Sequence, residues 1–99
     1  MVPLHEYTPG DYGRRPIRIA GDLFLAWWVR TPNGLLGRLS APEDVAAGRA
    51  TAHHVVREHQ DGTISVNPQP TGNAPNSILV HGGGAEWHGY IDRGVWRSV

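Results

Sequence analysis

The chain has 99 residues with nine basic and nine acidic side chains, so its formal net charge is zero. That balance lacks the basic footprint of a general nucleic-acid binder, and the length suits one domain with a single modest core. Cysteine is absent, which removes disulfides, thiolate metal ligands and cysteine nucleophiles together.

Thirteen Gly and eight Pro, with only 39% hydrophobic residues, predict many turns between short strands. A domain of this size buries only somewhat over ~60% of its extended surface, so partners can supply part of its stability. All nine basic residues are Arg. Guanidinium recognition of phosphate or carboxylate is one reading of that bias. G+C-rich coding, which favours Arg, Ala, Gly and Pro codons, accounts for it with fewer assumptions. No apolar run approaches the ~20 residues of a membrane span, and the first residues lack a signal peptide's charge and apolar core. The expectation is a soluble, intracellular protein with no membrane partner.

Residues 1–15 contain Pro3, Pro9, Gly10 and Gly13 without apolar periodicity. They read as an extended arm whose Tyr7 and Tyr12 can lie against a neighbouring surface. Pro16 to Ala20 reads as a short strand, with Ile17 and Ile19 on one face. Gly21-Asp22 turns into the unbroken apolar run Leu23 to Val29. As a strand it puts Leu23, Leu25, Trp27 and Val29 on one face and Phe24, Ala26 and Trp28 on the other. Both faces need shielding, by a central position in a two-layer fold or by a subunit interface.

Thr31-Pro32-Asn33-Gly34 predicts a turn, and Leu35 to Leu39 a returning strand. Ser40-Ala41-Pro42-Glu43 has capping-box spacing, so one short helix is expected over 41–47, with Glu43 and Asp44 serving its N-terminus. Residues 51–60 alternate imperfectly and lead through Asp61-Gly62, a hairpin signal, to a strand over 63–67. Pro68 to Asn76, with three prolines and a glycine, predicts a loop long enough to be functional. Strands follow at 77–80, 86–91 and 95–99, joined by Gly82-Gly83-Gly84 and Asp92-Arg93-Gly94. Trp87, Gly89 and Ile91 share one face, His88 and Tyr90 the other. The sum is a single mainly β domain over 1–99, a small antiparallel β-sandwich or partly open barrel with one short helix.

Three motifs bear on chemistry. His53, His54, His81 and His88 can hold zinc only if they converge, and the adjacent pair points to opposite faces of a strand. His81-Gly82-Gly83-Gly84 matches the oxyanion loop of some esterases, but no G-x-S-x-G accompanies it and the glycines make a hairpin. No phosphate loop or dinucleotide fingerprint is present, so no cofactor is expected. The polar ends of Trp87, Tyr90 and Trp96, near His88 and Arg93, can frame a stacking pocket for a nucleobase; the competing reading fills the core with the tryptophans. With Trp27 and Trp28, these seven residues are the candidate binding set, and no catalytic or metal set is named.

The succession Asp61-Gly62-Thr63-Ile64-Ser65-Val66-Asn67-Pro68, Asn76 to Val80, Trp87-His88-Gly89-Tyr90-Ile91 and Gly94-Val95-Trp96 resembles a family of small bacteriophage and prophage proteins of uncharacterised function. The likeness covers roughly residues 61–99. It implies a phage of a G+C-rich host, and it transfers no active site. Many members carry cysteines that look metal-binding, and this chain has none. The reading is a non-enzymatic phage protein acting through contacts with itself or other virion proteins, as a capsid decoration or minor structural component. The setting is the virion, or the host cytoplasm during infection. The alternatives are an anti-defence protein sequestering a nucleotide signal, and a zinc-binding domain.

Overall fold

The computed structural model describes residues 3–67 and 77–99. The loop expected over Pro68 to Asn76 lies outside the described residues, as do the first two residues of the arm. Among the described residues the chain is mainly β, with two antiparallel sheets, one short α-helix and one 3-10 turn, and the sheets do not close into a barrel.

The first sheet has the order β1–β2–β3, from β1 (Tyr12–Ile19), β2 (Asp22–Arg30) and β3 (Leu36–Arg38). β1 begins four residues earlier than the expected strand, so the end of the predicted arm is sheet. No apolar alternation marks Gly13, Arg14 and Arg15; pairing with β2 imposes the strand, with Gly13 opposite Trp28 and Arg15 opposite Ala26. The hairpin turns at Ala20-Gly21, one residue before the expected position, with φ of 50° and 89°. Positive φ at both positions is the two-residue geometry whose twist matches the flanking strands. Because Ile19 and Asp22 flank that turn as a bonded pair, odd-numbered β1 residues direct their N–H groups to β2. Pro16 therefore turns its missing donor outward, which blunts the free edge of the sheet.

The helix α1 (Pro42–Ala46) matches the expected element to within a residue, but its cap is shifted. Ala41 is the N-cap and has no side-chain acceptor. The reciprocal half of the cap comes from Asp44, not Glu43: its Oδ2 accepts the Ala41 N–H at 2.8 Å. Asp44 is 1% exposed and also takes both Arg38 Nη groups, at 2.7 and 3.1 Å, and Arg49 Nε at 2.8 Å. The two guanidinium groups cover Phe24 on β2, at 5.9 and 5.8 Å from its ring. This explains the unbroken apolar run. Phe24 is buried beneath the Arg–Asp cluster and Ala26 is buried on the same face of β2, whereas Val29 is buried on the opposite face in the main core.

The second sheet contains β4 (Val56–Glu58), β5 (Ile64–Val66), β6 (Ile78–Gly82), β7 (Ala85–Asp92) and β8 (Val95–Ser98), in the order β4–β5–β7–β6 with β8 also on β7. The Asp61-Gly62 hairpin forms as expected, with the Asp61 carboxylate accepting the Thr63 N–H at 3.0 Å. Gly82 pairs with Ala85, so only Gly83-Gly84 turns the chain there; Arg93-Gly94 makes the next two-residue turn. The main core joins Val29 and Leu39 to Ile64, Val66, Ile78, Val80 and Ile91, with Trp87 and Trp96 packed against it. Each fully buried aliphatic side chain contributes about 1.5–3 kcal/mol relative to exposure.

At one side the sheets meet without pairing. A Cβ on Gly37 of β3 would come 2.6 Å from Val80 Cγ2 of β6, so only glycine allows that approach. At the other side Arg14 of β1 and Glu58 of β4 form an ion pair at 3.5 Å.

Candidate functional site

The seven candidate residues fall into separate places. Trp87 and Trp96 touch edge to face, with centroids 5.0 Å apart and planes at 82°. They sit on the core side of β7 and β8, over Gly89, where a Cβ would lie 2.6 Å from Trp87 Cη2 and 2.1 Å from the Arg97 carbonyl. Trp96 Nε1 donates to the Gly10 carbonyl at 3.1 Å, which fastens the N-terminal segment across the end of the sheet. This is a core role for both rings. His88 is exposed and Tyr90 half-buried on the outer face of β7, and Arg93 is in the β7–β8 turn with its N–H donated to Ser65 Oγ at 2.9 Å. The stacking pocket expected from these five is therefore not assembled. Alternation along β7 puts Trp87 and Tyr90 on opposite sides of the sheet, and Trp87 and Trp96 are engaged with each other, the edge of one ring against the face of the other.

Trp28 lies on the Phe24 face of β2, opposite Arg38 of β3. Trp27 faces the other way, and here the structure does form a recess. It is a cleft of about 300 Å³, floored by Trp27, Leu25 and Leu39 and walled by Val55 and Val56. The Arg14 guanidinium lies 5.4 Å from the Trp27 ring centroid at its rim, and Glu43 and His53 also line it. A mostly apolar floor under an aromatic ring suits an apolar or aromatic side chain, or one planar ring. Leu25 and Trp27 were legible as one strand face. The opposing wall was not, because residues 51–55 are irregular rather than strand, and the His54 N–H donates to the Ser40 carbonyl at 2.9 Å.

His54 ties three segments together. Its Nδ1 accepts the Ser40 N–H at 2.9 Å, which leaves the proton on Nε2 to be donated to the Ser77 carbonyl at 3.0 Å. Burial above all pushes its pKa below the ordinary value of 6.5, against the opposing effect of the hydrogen bond to the Ser77 carbonyl. Neither ring nitrogen is available to a metal. The Ser77 hydroxyl and His88 Nε2 are 2.6 Å apart beside a second recess of about 350 Å³ that shares Ser40 and His54 with the first. His81 stands at the Gly83-Gly84 hairpin, 3.4 Å from Glu86, and His53 Nδ1 is 3.1 Å from the His54 carbonyl. His53, His54, His81 and His88 do not converge, and among the described residues no three His, Asp or Glu are grouped to hold a metal ion.

Asp44 is the most strongly perturbed acid. The Arg38 guanidinium above all, then the Ala41 N–H and Arg49, hold its carboxyl well below the usual range, against the upward push of burial. Its partners are the helix N-terminus and the two Arg that cover Phe24, so it holds structure together. Among the described residues no helix is long and apolar enough to cross a membrane.

Compared with known proteins, the chain matches no family model, no curated protein and no solved structure.

Proposed function

We propose that the chain is a phage protein that works through protein contacts rather than turnover, as a capsid decoration or minor structural component of the virion. The observation that carries this reading is apolar surface left open on both sheets. Leu23 and Leu25 are 63% and 55% exposed beside the Trp27 cleft, and Leu79, Val95 and Val99 are 50%, 52% and 77% exposed on the outer face of the second sheet. Singly exposed aliphatics are ordinary, but neighbouring ones along a sheet face mark contact surface. The likeness of residues 61–99 to small phage proteins supplies the setting, virion or infected cytoplasm. Mass spectrometry of purified particles of the encoding phage tests this: the chain in stoichiometric amount supports the reading, and its absence from particles overturns the virion role.

A second reading, sequestration of a nucleotide signal, draws on the Trp27 cleft with Arg14 at its rim, which has room for about one base. Titration calorimetry with cyclic dinucleotides and cyclic ADP-ribose-type ligands, giving no heat from any, contradicts it.

A further inference from the structure

Neither reading uses the contact between Ser77 and His88. Serine is a weak nucleophile unless a base takes its proton as the new bond forms, and the first requirement is hydrogen-bond reach between the two side chains. Ser77 Oγ and His88 Nε2 meet that requirement at 2.6 Å. The register explains the meeting: His88 on β7 pairs with Leu79 on β6, and Ser77 is two residues before Leu79, on the same outer face. The Ser77 backbone is fixed from behind, because its carbonyl accepts the His54 Nε2–H at 3.0 Å. The pair opens onto a recess of about 350 Å³ lined also by Leu79 and Ser40. Both side chains are therefore reachable by a small electrophile, and the serine is held while the imidazole stands beside it.

We propose that Ser77 is a nucleophilic acceptor activated by His88, which takes one acyl or phosphonyl group from an activated donor in a stoichiometric reaction. Attack forms the Oγ–C or Oγ–P bond, and the hydroxyl proton passes to His88 Nε2. The bond to the leaving group then breaks, and that group departs with the electron pair. A basic leaving group such as an alkoxide takes the proton from Nε2; fluoride leaves as the anion and His88 returns its proton to solvent. Among the described residues the hydrogen bond of the His88 ring is the one to Ser77, and no carboxylate orients it from behind. Without that orienting partner the pair suits donors with good leaving groups and single acylation rather than turnover. The reaction is independent of the protein-contact reading, and either can fail alone.

The test treats the whole folded chain with an alkyl fluorophosphonate and follows intact mass and the labelled peptide. The expected result is one added phosphonyl group, mapped to Ser77, absent in Ser77→Ala and slowed at least about 100-fold in His88→Gln. His88 is exposed, so His88→Gln retains the fold, which circular dichroism checks. No label on Ser77, or labelling of His88→Gln at the parent rate, overturns the proposal.

Discussion

The two sheets are held by different forces. The five-stranded sheet is stapled by apolar packing: five of the seven main-core residues, Ile64, Val66, Ile78, Val80 and Ile91, come from it, and the Trp87–Trp96 contact seals one end. The three-stranded sheet lends that core Val29 from β2 and Leu39 from just past β3, while the reverse face of β2 is covered by charge, the Arg38–Asp44–Arg49 cluster lying over Phe24. Apolar packing does not respond to pH, whereas an ion cluster does. The Arg–Asp cluster on the three-stranded sheet should therefore respond to acid below the carboxylate range, and the five-stranded sheet should be the part most damaged by truncation of a side chain.

The largest expected effect is in the five-stranded sheet. Ile91→Ala removes a fully buried side chain that pairs with both Val66 and Trp96, and should cost about 2–5 kcal/mol in denaturant unfolding. Asp44→Asn leaves two guanidinium groups over Phe24 without their carboxylate. Breaking a buried pair costs about 3–5 kcal/mol, and because the Arg side chains keep 22% and 25% exposure the lower end is expected here. A loss as large as that of Ile91→Ala with unchanged pH dependence would erase the contrast between the sheets. Trp96→Phe keeps an aromatic ring but loses the indole donor to Gly10, about 1 kcal/mol for the hydrogen bond, and should speed amide exchange at Gly10, whose N–H bonds the Arg30 carbonyl.

The pH prediction follows from two groups with the same sign. His54 is neutral when folded and its pKa is depressed, so its contribution is complete above 6.5 and is lost as pH falls toward the folded value. Asp44, also depressed, contributes fully above 3.8 and loses stability as pH falls below that. Stability should thus fall in two stages on acidification. His54→Gln should flatten the first stage and Asp44→Asn the second, both read from denaturation midpoints across pH.

Much of the five-stranded sheet was legible because its signals are local. Asp61-Gly62, the triple glycine and Asp92-Arg93-Gly94 mark turns, and alternation put Trp87, Gly89 and Ile91 on the core face. The three-stranded sheet was less legible. Gly13 to Arg15 carry no pattern, and their strand exists only through the partner across the hairpin. The helix was visible, but Asp44 rather than Glu43 caps it, because the choice depends on Arg38 and Arg49 arriving from elsewhere in the fold. The candidate site was the least legible part. Aromatic clustering in sequence pointed at Trp87, Tyr90 and Trp96, which alternation and core packing separate, while the Trp27 cleft needs residues 53–56 folded back over β2. The contact of Ser77 with His88 spans two strands and has no local motif.

Open apolar surface as the working surface is most directly tested by replacing Leu23 and Leu25 with Glu. Both are exposed, so Leu23→Glu/Leu25→Glu should keep its unfolding free energy within about 0.5 kcal/mol of the parent. When parent and variant compete for incorporation into particles lacking the chain, the variant should be excluded. Equal incorporation of a folded variant would contradict the account.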